Sequence, residues 1–293
     1  MRQTKESLSE ATASAWLHLL KKTLIRYPLD DADREMTREL HGVSPALRQE
    51  IERWIEHNQQ GKLQESGDVE ARASGRDWPA TAETMIGLFR MDSLHSCLLD
   101  LLHRKVPGDL AEVGVWRGGA GIMMRAVLKA FGEKRRKVWL ADSFQGFPPP
   151  DAKRYPMDAA DIHATHPELA VLQETVKQNF KRYGLLDEQV RFLPGWFRDT
   201  LPTAPIQQIA LLHLDCDMYE STTVALHSLY PKLSSGGYVI VDDYGALPSC
   251  RQAVTDFRNE FAITAEVRHI DWTGVFWQVP LGPEQKKATR PKR

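Results

Sequence analysis

Cysteine is scarce in this chain: Cys97, Cys216 and Cys250 are the only three among 293 residues. None stands in C-x-x-C spacing, which excludes a disulfide framework and a four-thiolate zinc site as organising devices. Long apolar runs are missing too. No stretch reaches the roughly 18 residues that a membrane-crossing helix needs, and the first residues lack the apolar core of a secretion signal. Net charge is nearly absent, since 38 basic side chains face 39 acidic ones. No broad field therefore draws nucleic acid or an anionic membrane to the surface. No internal repeat is present. The expectation is a cytoplasmic protein, long enough for one elaborated domain or two small ones, with neither nucleic acid nor membrane as partner.

What is present falls into three regions. Residues 1–75 are polar and helix-forming, and are read as an N-terminal extension, a lid, or an arm for a homo-oligomer. Ala15, Leu19, Leu20, Thr23 and Leu24 recur near helical spacing, and Pro28 closes the run. A second helix is expected with Ser44 as N-cap and Pro45 at its first position, carrying the stripe Leu47, Ile51, Trp54 and Ile55. Residues 59–76, rich in Gly, Gln and Glu, read as a mobile linker. From 76 to 280 helix-like and strand-like segments alternate. Strands are expected at 109–115, 138–141, 190–193, 209–214 and 238–241, and helices at 94–103, 119–131, 171–183, 222–232 and 250–261. A Pro- and Asp-rich insertion occupies 145–170. This alternation predicts an α/β fold, a mostly parallel sheet with helices on both faces. Two last strands, 263–270 and 274–279, lie too close for a helical crossover and should pair antiparallel. Residues 281–293 form a short basic tail, read as a disordered end.

Two apolar runs end in acid. Ile209–Leu214 leads into Asp215-Cys216-Asp217, and Tyr238–Val241 leads into Asp242-Asp243. Buried parallel strands read as such runs, and open α/β sheets bind ligands at the carboxyl ends of their strands. Neighbouring strands would thus bring four carboxylates to one rim. Clustered carboxylates raise one another's pKa, so such a rim holds a hard cation or a shared proton, and it is read as a Mg²⁺ site. Each acid alone has an ordinary explanation: Asp215 as a strand end, Asp217 as the cap of a helix near Ser221. Cys216 should face the opposite side and pack, and His213 reads as a satisfied core histidine. Asp271 and Trp272 read as braces of the sheet or as a border of the acceptor pocket, with bracing the preferred reading.

The first strand runs into Glu112-Val113-Gly114-Val115-Trp116-Arg117-Gly118-Gly119. Glycines allow a tight turn and close backbone approach, and the following helix N-terminus attracts anionic groups. A dinucleotide fingerprint G-x-G-x-x-G needs glycine where Trp116 stands, and an indole there obstructs a pyrophosphate. S-adenosylmethionine (SAM) carries no phosphate. Glu112 is placed to hold its amino group, Asp142 at the end of the second strand its ribose hydroxyls, and Gly195-Trp196 an aromatic face near its adenine. Met85, before a helix start, reads equally as a cover for the cofactor or as packing.

Several segments in order resemble the macrocin O-methyltransferase (TylF-type) family of SAM- and Mg²⁺-dependent methyltransferases from natural-product pathways. They are Arg76-Asp77-Trp78-Pro79 with Glu83 to Gly87, Glu112 to Gly119, Trp139 to Pro148 (including Asp142 and Ser143), Leu214 to Tyr244, and Ile270 to Trp277. The resemblance covers roughly residues 76–278. It implies a class I, Rossmann-like methyltransferase sheet of seven strands with the last antiparallel. It also implies Asp215, Asp242 and Asp243 as metal ligands and Asp217 as general base. Cofactor contacts are expected at Met85, Glu112, Gly114, Trp116, Gly118, Asp142, Ser143, Gly195 and Trp196. A hydroxyl beside Mg²⁺ is acidified by Lewis-acid polarisation, so Asp217 needs only to take an already loosened proton. The acceptor implied is a small hydroxylated molecule, a glycoside, vicinal diol or catechol. Two other functions are weighed. A metal-dependent glycosyltransferase could use Asp215-Cys216-Asp217 as a D-x-D, but it leaves Trp116 and Glu112 without a role. A non-catalytic scaffold should have lost the acidic quartet, which stands intact.

Overall fold

Five apolar runs become parallel strands: β1 (Asp109–Val113), β2 (Val138–Asp142), β3 (Val190–Pro194), β4 (Ile209–Leu214) and β5 (Leu233–Val241). They are seen in a computed structural model that describes residues 9–29, 31–36, 45–46, 48–49, 52–53 and 69–280. The two closing strands, β6 (Arg268–His269) and β7 (Val275–Gln278), pair antiparallel, and β7 also lies antiparallel against β5. The sheet order is β3-β2-β1-β4-β5-β7-β6. After β3 the chain crosses back to pair β4 with β1, so the strand order reverses at β1 and β4. A crevice opens there at the carboxyl ends, the position at which such sheets bind ligands.

Helices cover both faces. They are α1 (Glu10–Leu24), α2 (Asp31–Met36), α3 (Val69–Ala73), α4 (Gly87–His103), α5 (Gly119–Ala130), α6 (Gln173–Arg182), α7 (Phe197–Thr200), α8 (Tyr219–Leu229) and α9 (Pro248–Glu260). Alternate strand residues feed two cores. Leu110, Leu140 and Ile240 join α1, α4, α5 and α6 on one side; Ala111, Val113, Leu212 and Val241 join α8 and α9 on the other.

Helix α1 shares the first core. Its Trp16, Leu17, Leu19, Leu20 and Leu24 are at most 1 % exposed, and each such burial contributes about 1.5–3 kcal/mol relative to exposure. Ser9 caps its start, accepting the Thr12 N–H at 3.2 Å. The second expected helix, opening at Ser44, lies largely outside the described residues, as do residues 59–68 and the tail 281–293. The far end of the expected linker is ordered: α3 buries Arg72 and Ala73, and Arg72 binds Asp77 at 2.6 Å.

Several boundaries differ from expectation: only Arg268–His269 of the strand expected at 263–270 pairs with β7, the strand expected at 109–115 ends at Val113, and the helix expected at 222–232 spans Tyr219–Leu229. Two further differences have clear physical reasons. Helix α4 begins seven residues earlier than position 94, because Arg90, buried for its charge contacts, interrupts the apolar stripe that marks a helix. Strand β5 begins at Leu233, before the Ser-Ser-Gly-Gly that reads as a turn. A bulge in its pairing with β4 and the left-handed Gly236 (φ 77°) carry the strand through it.

Where α4 packs near α1, Lys21 pairs with Asp92, and His95 keeps a buried Nε2 with no hydrogen-bond partner. Burial first, then the Lys21 charge, lower the His95 pKa to about 4. In the unfolded chain it binds a proton near the ordinary 6.5. The unfolded state therefore holds more protons between these values, and stability is lost as pH falls through this window. His95→Gln should flatten that acid limb: urea midpoints between pH 7 and 4 should decline less steeply than in the parent. Parallel pH profiles for the two proteins would reject the assignment.

Candidate active site

Strands β4 and β5 set the acidic rim. Leu214 pairs with Val241 in parallel register, so the next residues on both strands leave the sheet at one edge. The ladder continues one step, with the Asp215 N–H donating to Val113 O at 2.9 Å and the Asp242 N–H to Leu214 O at 2.8 Å. One carboxylate oxygen from each of Asp215, Asp242 and Asp243 then lies within 4.8 Å of the others. Asp242 is buried, while Asp215 and Asp243 are half-buried at the cavity wall.

One cation faces this cluster from α4. Arg90 pairs through Nη1 with Asp242 Oδ2, and its Nε donates to Asp271 Oδ2 at 3.0 Å. Asp271 in turn accepts the Thr273 and Gly274 N–H groups at 3.0 and 2.7 Å, so it braces the β6–β7 turn and aims Arg90 at once. Beneath the rim, His213 stands between Asp242 and Glu112, with Nε2 3.7 Å from Asp242 and Nδ1 3.8 Å from Glu112. It is not a satisfied core histidine, because Nδ1 has no hydrogen-bond partner. Burial opposes its protonation, but the two acids outweigh it and raise its pKa to about 10. The acids divide accordingly. Burial works against ionisation of Asp242, yet Arg90 and His213 hold it below the usual carboxylate range. Burial and then Asp242 push Asp243 up to about 7, and burial with Asp242 and Asp243 pushes Asp215 well up.

Asp217 sits apart from the trio. The extended strand ends at Leu214 and Asp217 is left-handed (φ 60°), so Asp215 and Asp217 do not share a strand face as alternation would have it. The turn sets the Asp217 N–H against Asp243 Oδ2 at 3.2 Å. Nor does Asp217 cap α8: Asp158, from the insertion, accepts the Tyr219 and Glu220 N–H groups at 2.7 and 2.9 Å. This fastening brings His163 to Asp217, with Nε2 to Oδ1 at 3.7 Å, while His163 Nδ1 bonds Asp161 Oδ2 at 2.8 Å. Cys216 packs in the second core, its Sγ 3.7 Å from Thr222 Oγ1.

A cavity of about 340 Å³ joins this rim to the glycine loop. Met85, Glu112, Gly114, Trp116, Asp142, Ser143 and Trp196 line it together with Asp215, Asp217, Asp242 and Asp243. Gly118 and Gly195 do not. Gly118 (φ 90°) starts α5 against Val176, and Gly195 donates its N–H to Asp142 O at 2.9 Å, so both shape backbone. At Gly114 (φ 88°) a side chain is impossible, since a Cβ would fall 1.6 Å from Asp215 O. Asp142 accepts the Val115 and Phe144 N–H groups at 2.8 and 2.7 Å, one on each oxygen. Trp116 is half-buried, with its indole N–H on Glu168 O at 3.1 Å, which ties the loop to the insertion. Glu112 Oε2 is buried with no partner.

The residues fit both expected groups. A buried acceptor without a donor suits an ammonium, and three clustered carboxylates, one with Asp242 Oδ1 unpartnered, suit a small hard cation. Sequence reasoning missed Arg90, His163, Asp158 and the bridging role of His213. Only buried charge inside an otherwise apolar helix could have flagged Arg90.

The family model described as Macrocin-O-methyltransferase (TylF) matches residues 13–279. The chain belongs to this family. It is 54 % identical over 212 residues to the 8-demethyl-8-(2,3-dimethoxy-alpha-L-rhamnosyl)-tetracenomycin-C 4'-O-methyltransferase of Streptomyces olivaceus, covering 72 % of this chain and 81 % of that one. It is also 54 % identical over 210 residues to the demethyldecarbamoylnovobiocin O-methyltransferase of Streptomyces niveus, covering 71 % and 80 %. Among solved structures, the O-methyltransferase NovP superposes with a TM-score of 0.77 at 45 % identity, over 92 % of this chain and 99 % of that one. The calicheamicin methyltransferase CalS11 shares the fold, with a TM-score of 0.53 at 20 % identity over 87 % and 96 %. This TylF-family chain is thus a SAM-dependent O-methyltransferase with the class I, Rossmann-like sheet. Membership displaces the glycosyltransferase reading of the D-x-D.

The raised Asp243 pKa makes a testable statement about metal-free protein. An unfolded Asp243 ionises near 3.8 and the folded one near 7, so the folded state holds the extra proton and loses stability as pH rises across that window. Asp243→Asn should therefore melt about 2–4 °C above the parent at pH 8 in chelator, with the difference closing toward pH 4. A melting difference that does not change with pH would mean that charge is not its cause.

Proposed function

We propose that this TylF-family enzyme methylates a hydroxyl of a sugar carried by a natural product, with Mg²⁺ held by Asp215, Asp242 and Asp243 and with Asp217 as general base. The observation that carries the reading is the carboxylate trio with Asp217 beside it on the cavity shared with Glu112 and Asp142. The acceptor class rests on relatives whose names specify a rhamnosyl tetracenomycin 4'-hydroxyl and mycinamicin III 3''-hydroxyl; the latter enzyme, from Micromonospora griseorubida, is 49 % identical over 222 residues, 74 % of this chain and 87 % of that one.

When bound, SAM supplies an electrophilic methyl group and Mg²⁺ polarises the acceptor hydroxyl. The chain's own residues do the rest. Glu112, buried with no hydrogen bond at Oε2, would receive the cofactor's amino group, while Met85, Gly114, Trp116, Ser143 and Trp196 would shape the cleft around it, with Gly118 and Gly195 setting the loops. Asp142, whose oxygens are already oriented by two backbone N–H groups, keeps lone pairs for the ribose hydroxyls. Burial and then Asp243 raise the Asp217 pKa well above an ordinary carboxylate, which gives it an affinity for the proton that leaves the hydroxyl. These residues would hold the acceptor oxygen in line with the methyl group that SAM would supply. The residue contribution is orientation and exclusion of water, and both depend on the insertion being fastened by Asp158.

Residues 76–280 form the catalytic domain in this reading, with α1 docked on it. Asp215→Asn and Asp242→Asn are expected to abolish turnover, to lose the Mg²⁺-dependent rise in melting temperature, and to keep SAM affinity within a few fold by calorimetry. Chelator-insensitive methylation in both variants would remove the metal from the account. Asp217→Asn is expected to keep the Mg²⁺ response while the rate falls by about two orders of magnitude. Unchanged turnover would remove Asp217 as the base.

A further inference from the structure

Beyond the acidic rim the cavity reaches two tryptophans that methyl transfer does not use. Trp78 is 66 % exposed and Trp272 42 % exposed, and both line the cavity that holds Asp215 and Asp243. Their polar edges are already satisfied on one turn: the Trp272 indole N–H donates to Ser74 O at 2.8 Å, and that of Trp78 to Gly75 O at 3.3 Å. Ring orientation is thereby set, and what remains open to solvent is apolar surface. The Arg76 guanidinium lies 4.6 Å from the Trp272 ring centre.

The platform is registered on the reaction centre. A Cβ at Gly75 (φ 70°) would meet Arg90 Nη2 at 2.0 Å, so the turn that anchors both indoles rests directly on the guanidinium that holds Asp242. On the other side, Trp272 is flanked by Asp271, which binds Arg90, and by Thr273, whose hydroxyl donates to Asp242 O at 2.9 Å. The distance from rim to platform is therefore held by hydrogen bonds rather than by a free loop. Large aromatic faces left in water are unfavourable, and they mark a surface that is covered when the protein works.

We infer that Trp78 and Trp272 form a second acceptor subsite, which stacks a flat aromatic ring attached to the sugar that is methylated. The inference rests on the sugar-hydroxyl reading above and names what the sugar carries. Indole faces without a free donor select a ring by area and quadrupole, not by hydrogen bonds. Arg76, lying over one face of the Trp272 ring, leaves the other face to the ligand and adds a positive charge that favours an electron-rich ring. Binding energy gained there is remote from the transferred methyl, so it orients the sugar hydroxyl at the rim.

The test compares 1-naphthyl α-L-rhamnoside with methyl α-L-rhamnoside as acceptors for full-length enzyme with SAM and Mg²⁺. The measured quantity is the ratio of their kcat/KM values, from which partial misfolding of a variant cancels. The parent should prefer the naphthyl glycoside. Trp78→Ala and Trp272→Ala should each reduce the ratio by about fivefold, mainly through KM of the naphthyl acceptor, and Trp78→Phe should recover most of it. A ratio unchanged in both alanine variants overturns the inference. So does an unchanged ratio accompanied by a shift in oligomer mass, which assigns the indoles to self-association. Failure of the parent to methylate either rhamnoside would instead count against the sugar reading itself.

Discussion

Four carboxylates on one rim repel each other, and the fold tolerates them because it places opposite charge where water cannot. Arg90 from α4 and His213 from β4 both approach Asp242, and both are almost fully buried. They hold Asp242 ionised, while Asp243 and Asp215 are pushed the other way by burial and by Asp242. An asymmetric cluster results, with one secure anion and two acids that favour a proton or a cation. Breaking a buried charge pair by removing one partner leaves an uncompensated charge, at a cost of about 3–5 kcal/mol. Arg90 is thus as much a structural element as α4, on which it sits.

The same charge chain links the two halves of the cavity. Glu112, His213, Asp242, Arg90 and Asp271 follow one another across β1, β4, β5, α4 and the β6–β7 turn. The glycine-loop end and the acidic rim of the cavity are therefore positioned by one buried network rather than by two independent loops. Such networks are expensive when half-satisfied, and this one leaves Glu112 Oε2, His213 Nδ1 and Asp242 Oδ1 without a hydrogen bond, the last two held only by ion-pair contacts of 3.7–3.8 Å. Of the three, Glu112 and Asp242 belong to residues that line the cavity.

The insertion at 145–170 serves as a roof built from polar contacts. Asp158, fully buried, replaces the missing cap of α8. Glu168 O receives the Trp116 indole, and His163 reaches Asp217 while stacking on Phe147 at 5.1 Å. A segment rich in Pro and Asp has little apolar surface to bury, so it is fastened by hydrogen bonds to backbone groups that the sheet domain leaves open.

Local sequence was enough for the sheet, because buried parallel strands are short apolar runs and the acids that end them stand at their carboxyl termini. Residues 209–214 are a strand to the residue, and Asp215, Asp242 and Asp243 meet as neighbouring strand ends must. The glycine loop and Asp142 were legible for the same reason, since turn chemistry and strand ends are nearest-neighbour properties. The early start of α4 and the passage of β5 through Ser-Ser-Gly-Gly were not, because a buried arginine and a bulge contradict local pattern. Only the tertiary structure decided that α1 belongs to the core, that Asp217 turns away from Asp215, and that Arg90, Asp158, His163 and Asp271 converge on the rim. Those residues come from segments 54 to 181 positions apart in pairing, and no periodicity encodes which charges will meet once the chain has closed.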